Sequence, residues 1–289
     1  MLDGAMGTEL FARGVEVGDC TAYVNIESPE IVYEVHRAYF DSGSDAVITN
    51  TFGANRYAMA RYGHSDKVVE INTAAAQIAR RAAGEDKYVL GDIGPSGDFL
   101  EPLGALKADE LKEAFSEQAM GLLAGQVDGF IIETMSALDE MEIAIKAVKS
   151  ICGDLPVFAS MAFDSAGGAF KTMMGVDVET AVAKMASLGV DAIGFNCGRM
   201  SLDDYVKLAQ KFAAAAGGLD VTLLAEPNAG QPELVDGRAV YNVSPEDFAA
   251  AAEKIRSAGV DIVGGCCGVI GGCCGTKPSH IKALAEKLK

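Results

Sequence analysis

Three segments of the chain repeat one pattern: a helical stretch ends at a glycine, an aspartate follows two residues later, and an apolar run comes next. They are DSGSDAVI (41–48), SLGVDAIGF (187–195) and SAGVDIVGG (257–265). A glycine in this place commonly closes a helix, and a continuous apolar run is typical of a parallel strand that is covered on both faces. The pattern therefore predicts units in which a helix leads into a buried parallel strand.

Other short apolar runs fit the same scheme, with helical stretches between them. With a very short strand at MLDG (1–4), the predicted strands are DAVITNT (45–51), YVLGDIG (88–94), GFIIET (129–134), PVFASMAF (156–163), AIGFNC (192–197), VTLLAEPN (221–228) and DIVGGCC (261–267). Eight such units favour a barrel over an open doubly wound sheet, which usually has five or six strands. We therefore expect an α/β fold, a (β/α)8 TIM barrel, with a single domain over residues 1–289.

The composition excludes several classes of protein. Hydrophobic residues make up 49% of the chain, enough for a sizeable core, and the formal net charge is −17. Such a field repels nucleic acid and anionic membranes. The chain has no apolar run long enough to span a bilayer, and its first residues lack the pattern of a signal peptide. We therefore expect a cytoplasmic protein that binds neither nucleic acid nor membrane and keeps its cysteines reduced.

A TIM barrel carries its chemistry at the carboxyl ends of the strands. The unusual polar residues of this chain lie at those predicted ends: Asp3, Asn50, Thr51, Asp92, Glu133, Asn196, Cys197, Asn228 and the cysteine pairs of GGCCGVIGGCCGT (264–276). This coincidence indicates an enzyme.

Three cysteines could meet at the rim of such a barrel. Cys197 ends the sixth predicted strand, and Cys266 and Cys267 end the eighth. Three thiolates leave one position of a tetrahedral Zn²⁺ open, as in catalytic zinc sites. Zinc keeps a bound thiol deprotonated at neutral pH, so the pattern indicates activation of a substrate thiol for attack on an alkyl group. In the competing interpretation, the cysteines are small buried hydrophobic residues.

Two further features could bind an organic substrate. Glu133 ends an apolar strand, where a buried carboxylate needs a partner. That partner could be a substrate ammonium group or a lysine or arginine of the barrel. The glycine-containing turn DGAMGT (3–8) could cradle a carboxylate with its amide groups.

Taken together, seven motifs resemble the homocysteine S-methyltransferase family, and within it the cobalamin-dependent branch. They are DGAMGT, TNTFGAN (49–55), GDIGPSG (91–97), IIETMS (131–136), GFNC (194–197), PNAG (227–230) followed by PELVDG, and GGCCGT. The resemblance extends from residue 1 to the last predicted helix.

The resemblance implies a catalytic zinc site built from Cys197, Cys266 and Cys267, with the sulfur of homocysteine at the open position. Asn228 is implied as a weak fourth zinc ligand that homocysteine displaces. The amino and carboxylate groups of the substrate are then held by Glu133 and by the turn. The implied substrate-binding residues are Asp3, Gly4, Ala5, Thr51, Glu133 and Asn196.

The implied reaction transfers a methyl group from methylcobalamin, or another methylcorrinoid, to homocysteine and forms methionine. The betaine-dependent branch has a tyrosine where this chain has Thr134, which favours a corrinoid donor. The chain has no room for folate-binding or corrinoid-binding domains. We therefore expect the donor to be carried by a corrinoid protein in trans or by missing corrinoid and folate domains.

Two other functions stay open at this stage. One is a corrinoid-independent homocysteine methyltransferase that uses a small S-methyl or N-methyl donor such as S-methylmethionine. The other is a non-catalytic zinc-binding or thiol-binding protein, in which the additional cysteines complete a closed four-thiolate site.

The doubled GGCCG leaves two candidate pairs of zinc ligands. Measured from the preceding helix, the strand delivers Cys266 and Cys267 to the rim; measured from the following helix, Cys273 and Cys274 take that place. The hydrogen bonds of the barrel determine where a strand lies, whereas loops absorb inserted residues at little cost. We therefore expect the first pair to bind zinc and the second to lie in a lengthened loop.

Overall fold

A computed structural model describes residues 1–230, 233–235, 238–266 and 275–289. Its strands are β1 Ala46–Ile48, β2 Tyr88–Ile93, β3 Gly129–Met135, β4 Val157–Met161, β5 Asp164–Ala166, β6 Ala169–Lys171, β7 Ala192–Asn196, β8 Thr222–Glu226, β9 Glu233–Val235, β10 Arg238–Val240 and β11 Ile262–Val263. Within these ranges, seven strands form one parallel sheet in the order β1-β2-β3-β4-β7-β8-β11.

Helices connect these strands. They are α1 Met6–Ala12, α2 Val24–Glu27, α3 Pro29–Asp41, α4 Arg56–Ala60, α5 Val68–Ala83, α6 Ala108–Ala124, α7 Leu138–Lys149, α8 Val178–Ser187, α9 Leu202–Ala215, α10 Pro245–Ser257 and α11 Pro278–Leu288, with one 3₁₀ turn at Thr21–Tyr23. In the described part of the chain, none of them is long and apolar enough to cross a membrane.

Residues 1–3 close the sheet into a barrel. Leu2 donates its N–H to the carbonyl of Val263 in β11 (3.0 Å), and Ala46 of β1 donates to the carbonyl of Met1 (3.2 Å). The segment MLDG thus occupies the place of the eighth strand between the two edge strands. It is not itself a strand, because these few bonds do not make a regular ladder. The predicted (β/α)8 barrel is confirmed, whereas the single domain over 1–289 stays a prediction.

The repeated glycine and aspartate have separate structural roles. Gly43, Gly189 and Gly259 all lie at positive φ directly after a helix, as predicted for helix-closing glycines. Asp191 accepts the N–H of Val157 (2.8 Å), and Asp261 accepts that of Leu223 (3.1 Å). Each aspartate therefore bonds to an N–H at the beginning of a neighbouring strand and helps to set the register of the sheet.

Two short antiparallel hairpins were not predicted. β5 pairs with β6 in the loop after β4, and β9 pairs with β10 in the loop after β8. Each of these strands has only three residues. Runs this short carry too little alternation of polar and apolar residues to be recognised in a sequence.

The barrel interior changes from apolar to polar toward the carboxyl ends of its strands. An apolar interior cluster contains Leu2, Ala46, Ile48, Leu90, Ile131 and Leu224, with Phe158 and Ile262 packed against it. Side chains two residues apart on a strand point to the same face. The next inward positions therefore carry Asp92 after Leu90, Glu133 after Ile131 and Glu226 after Leu224.

Asp92 is an example of a carboxyl group that is buried in this polar layer at a cost in stability. It is 2% exposed, and its Oδ1 atom has no hydrogen-bond partner in the described part of the chain. Burial raises the pKa of Asp92 well above its ordinary value, and the charge of Glu133 and a hydrogen bond to that carboxyl act in the same direction. The folded protein therefore holds a proton at Asp92 more tightly than the unfolded chain does.

Replacing Asp92 with asparagine is expected to raise the free energy of unfolding by about 1–3 kcal/mol at neutral pH, because the amide needs neither a proton nor a buried charge. Below about pH 4, Asp92 is protonated in both the folded and the unfolded chain, so its raised pKa costs the folded state nothing. As the pH rises, the unfolded chain releases this proton more easily than the folded protein does, and stability is lost. An amide carries its N–H donors at every pH. The gain from Asp92→Asn should therefore grow as the pH increases.

Urea denaturation at mildly acidic and mildly basic pH measures this difference. Asp220→Asn, at an exposed loop position, is the matched control and should change the free energy of unfolding by less than about 0.5 kcal/mol. An equal effect of Asp92→Asn at both pH values would contradict the assignment.

Candidate functional site

Cys197 and Cys266 approach the end of β8 from its two sides. Cys197 directly follows β7 and donates its N–H to the carbonyl of Glu226 (3.4 Å); Cys266 follows β11 and donates to the carbonyl of Pro227 (3.2 Å). The two cysteines pack together with Ala5 in a small buried cluster. The parallel register of β7, β8 and β11 thus brings the two thiols and the DGAMGT turn to one place on the rim.

The side-chain amide of Asn196 connects several parts of this site. Its Nδ2 donates to Glu133 Oε2 (2.7 Å) and Thr134 Oγ1 (2.6 Å), and it lies 3.8 Å from the sulfur of Cys266. Its Oδ1 accepts the N–H of Thr134 (2.9 Å) and the hydroxyl of Ser160 (2.9 Å). The amide of Asn196 thus contacts both the carboxylate of Glu133 and the sulfur of Cys266.

Two residues of the site have strained backbones. Thr134 lies at φ 60° and Cys197 at φ 55°, followed by Gly198 at φ 87°. A β-branched residue such as threonine seldom adopts this left-handed conformation, and such strain often marks functional sites. At Thr134 the bonds to Asn196 stabilise the turn. A Cβ atom at Gly198 would lie 1.9 Å from the carbonyl oxygen of Phe163, so only glycine fits there.

The side-chain amide of Asn228 is hydrogen-bonded through its nitrogen, whereas its oxygen is available for a ligand. Its Nδ2 donates to the carbonyl of Gly198 (2.9 Å), and its backbone N–H bonds to the hydroxyl of Tyr205 (3.3 Å). Its Oδ1 is buried and has no hydrogen-bond partner among the described residues. The orientation of this amide therefore leaves an oxygen ready to accept a ligand.

The DGAMGT turn is fastened to the end of the cysteine-rich segment. Ala5 donates its N–H to Thr276 Oγ1 (2.9 Å), and Tyr39 donates its hydroxyl to the carbonyls of Ala5 (2.8 Å) and Thr276 (3.1 Å). A Cβ atom at Gly4 would lie 2.9 Å from the Tyr39 ring. A substrate carboxylate at the Ala5 amide would therefore have to replace its bond to Thr276.

Buried carboxyl groups surround the space inside this rim. Asp3 accepts the N–H of Ile48 (3.1 Å) through Oδ2, while its Oδ1 has no donor among the described residues. Burial raises the pKa of Asp3 well above its ordinary value, against the lowering effect of that hydrogen bond. Burial also raises the pKa of Glu226, and the charges of Glu133 and Asp3 add to the shift. Burial and mutual repulsion therefore make the carboxyl groups of Asp3 and Glu226 hold a proton more tightly than exposed carboxyl groups do.

Most of the predicted site residues lie together in the structure, and some lie outside the described residues. Asp3, Gly4, Ala5, Glu133, Asn196, Cys197, Asn228 and Cys266 meet at one end of the barrel. The hydroxyl of Thr51 contacts that of Thr49 (2.6 Å) and donates to the carbonyl of Asp92 (2.8 Å). Cys267, Cys273 and Cys274 lie outside the described residues, so the choice between the two cysteine pairs stays a prediction.

The sequence did not single out Glu226, Ser160, Tyr39, Thr276 or Tyr205 as parts of the site. For Glu226 a signal was present, because it follows the apolar Leu224 at the spacing that places both residues on the same face of β8. The other four residues support the site through hydrogen bonds to other segments of the chain. Such bonds cannot be predicted from a local pattern of residues.

The donor set suits zinc as far as it is described. Two thiols are soft ligands of the kind that zinc prefers, and the Asn228 oxygen, which has no hydrogen-bond partner in the described ranges, adds a weaker one. Within the described ranges, no three side chains of His, Cys, Asp and Glu are grouped so that they could hold a metal ion. These ranges include Cys197 and Cys266 but not the third predicted thiolate.

Comparison with curated proteins gives long matches. The chain is 33% identical over 302 residues to methionine synthase of Mycobacterium tuberculosis (strain ATCC 25618 / H37Rv). It is likewise 33% identical to methionine synthase of Mycobacterium leprae (strain TN). Each match covers 98% of this chain and 24% of the relative. The chain thus spans about a quarter of the length of these relatives.

Solved structures and a family comparison complete the assignment. Homocysteine methyltransferase MmuM from Escherichia coli, in its oxidized and metallated forms, superposes with a TM-score of 0.77 at 24% identity, over 99% of this chain and 94% of that one. The sequence model described as homocysteine S-methyltransferase matches residues 1–269 and 268–288, and the two matches meet within the doubled GGCCG. The chain belongs to the homocysteine S-methyltransferase family.

Proposed function

We propose that this chain transfers a methyl group from a methylcorrinoid to the thiol of homocysteine and forms methionine. The observation that carries the proposal is the meeting of Cys197 and Cys266 with Asn228 and with the Asn196–Glu133 pair at one end of the barrel. This arrangement places soft thiol ligands next to a carboxylate that can hold an amino acid. The match to methionine synthases supports the same reaction.

We propose Cys197, Cys266 and Cys267 as the zinc ligands, with Asn228 as the fourth ligand that the substrate displaces. Bound zinc supplies a positive charge that lowers the pKa of the homocysteine thiol and keeps it as a thiolate at neutral pH. The Oδ1 of Asn228, which has no hydrogen-bond partner among the described residues, suits a weak ligand, because the Nδ2 of the same side chain bonds to Gly198 and so orients the oxygen.

The chain's own residues bind and orient the substrate in this proposal. Glu133, oriented by Asn196, and Asp3 hold the ammonium group, while the DGAMGT turn and Thr51 lie beside the rest of the amino acid. The thiolate sulfur then forms a bond to the methyl carbon as the bond from methyl to its carrier breaks. The electron pair of that bond stays on the carrier. Correct orientation of sulfur and methyl contributes much of the rate increase of such a transfer.

The methyl donor has to reach the rim from outside the chain. Since the chain spans 24% of the length of the methionine synthases that it matches, we propose that a corrinoid is carried either by a separate corrinoid protein or by corrinoid and folate domains of a longer chain. The strand ends and loops of the barrel would then face the donor.

A second candidate is methylation of homocysteine by a small S-methyl or N-methyl donor such as S-methylmethionine. It is favoured by the match to MmuM, a homocysteine methyltransferase of which this chain covers 94%. With such a donor the reaction would need no corrinoid partner.

Substitution of the predicted ligands tests the zinc site. Cys197→Ser and Cys266→Ser are expected to lower bound zinc from about one ion per chain to nearly none, because two thiolates no longer complete the site. Cys273→Ser should retain the ion. Cys20→Ser is a matched control, since the Cys20 thiol bonds to Met59 (3.7 Å) in another part of the barrel. Loss of zinc with Cys273→Ser together with its retention in Cys266→Ser would overturn the choice of pair.

X-ray absorption then tests direct activation of the thiol. Adding homocysteine to the zinc-loaded protein is expected to raise the number of sulfur ligands by about one, as the thiol takes the open position. An unchanged sulfur count would contradict direct activation and would favour a non-catalytic zinc protein.

Turnover with defined donors tests the methyl source. Zinc-loaded protein and homocysteine should form methionine with methylcobalamin and not with S-methylmethionine alone. Because an uncoordinated thiol is largely protonated at neutral pH, Cys197→Ser should lower the rate by at least about 100-fold. Turnover with S-methylmethionine and none with methylcobalamin would select the second candidate. Quantifying methionine by mass spectrometry distinguishes the two.

A further inference from the structure

Glu226 is a buried carboxyl group that the proposed reaction does not yet use. It is the last residue of β8 and is 0% exposed. Neither of its carboxyl oxygens has a hydrogen-bond partner in the described part of the chain. An unsatisfied buried polar group costs about 1–3 kcal/mol, and more when it is charged. Such a group therefore suggests a ligand that pairs with it.

The side chain of Glu226 points into the barrel, toward the site. Glu226 is the register partner of Asn196 in β7, and neighbours in register on parallel strands share a face of the sheet. The amide of Asn196 contacts Glu133 and Cys266 in the interior. Leu224, two residues before Glu226, belongs to the apolar interior cluster.

Three carboxyl groups from distant parts of the chain face the same space. Asn196, the register partner of Glu226, donates its side-chain amide to Glu133 Oε2 (2.7 Å). Asp3 lies at the same end of the barrel, where its carbonyl accepts the N–H of Gly265 just after β11 (2.8 Å). The Oδ1 atom of Asp3 also has no donor from the described residues. No salt bridge found among those residues includes Asp3 or Glu226.

A primary ammonium group matches this space in both charge and hydrogen bonding. It carries one positive charge and three N–H donors, and it has no acceptor. Three carboxyl groups from different segments of the rim could each accept one of those donors. Two of them, Asp3 and Glu133, are already proposed to hold the ammonium group of homocysteine, and Glu226 is the register partner of Asn196, whose amide binds Glu133.

We propose that Glu226 is a further substrate-binding residue, a third carboxylate that takes the α-ammonium group together with Asp3 and Glu133. It makes the pocket selective for thiols that carry a free amino group. This inference rests on the proposed function, because that function supplies the ammonium group.

Direct binding measurements with and without the amino group test this role. The ligands are homocysteine and its des-amino analogue, titrated calorimetrically into zinc-loaded protein. Glu226→Gln is expected to weaken homocysteine binding about 10- to 100-fold, the usual range for losing a hydrogen bond to a charged group. Binding of the des-amino analogue should stay within about twofold, because that ligand makes no contact through an amino group.

Two further variants make the result specific. Glu140→Gln is the matched control, since this nearly buried carboxyl already accepts the hydroxyl and N–H of Ser96 (2.6 and 2.8 Å), and it should leave both affinities unchanged. Glu226→Met matches the glutamate in size without its charge and should reproduce Glu226→Gln. It keeps the test available if the amide disturbs the fold. Circular dichroism confirms that each variant is folded.

The outcomes separate this inference from the proposed function. The role of Glu226 would be overturned if Glu226→Gln left homocysteine affinity unchanged. It would also be overturned if the variant lost affinity equally for homocysteine and for its des-amino analogue. Methionine and its des-amino analogue test the same contact without a thiol. Suppose that wild-type protein does not bind homocysteine, and that Glu226→Gln weakens the binding of methionine but not of its des-amino analogue. The proposed function would then be wrong, and the contact between Glu226 and an ammonium group would still hold.

Discussion

The side-chain amide of Asn196 is the interaction on which the rest of the site depends. It bonds to Glu133, Thr134 and Ser160, and so joins β3, β4 and β7, and it reaches the thiol of Cys266 across the barrel. An amide suits this position because it offers donors and an acceptor at every pH. One uncharged side chain thus orients a carboxylate, stabilises a strained turn and contacts a candidate zinc ligand.

The interior of the barrel is divided between stability and function. Its apolar cluster, which includes Leu90, Ile131 and Leu224, supports the lower part of the strands. One inward position further on, Asp92, Glu133 and Glu226 bring carboxyl groups into the same low-dielectric space. Burying several acids together is unfavourable unless protons or a cation compensate them. Such a layer fits a pocket for a cationic ligand better than it fits a core.

Much of the fold could be predicted from local spacing. Glycine followed by aspartate marked the ends of helices and the beginnings of strands, and the structure shows both roles, as in Gly189 and Asp191. The short hairpins escaped prediction because three residues carry no readable period. MLDG was wrongly predicted to be a strand: it lies between β1 and β11, but only a few backbone bonds hold it there.

The sequence by itself determined the family, the barrel and the residue types at the strand ends, because helix caps, strand alternation and motifs are all local properties of a chain. Only the tertiary structure decided which of those ends meet. Asn196 and Cys266 are 70 residues apart in sequence, and the amide of Ala5 meets the hydroxyl of Thr276 across 271 residues. Those contacts exist because a closed parallel sheet brings all its carboxyl ends to one rim. The same closure turns Glu226 from an ordinary strand residue into a buried carboxyl group that faces the site.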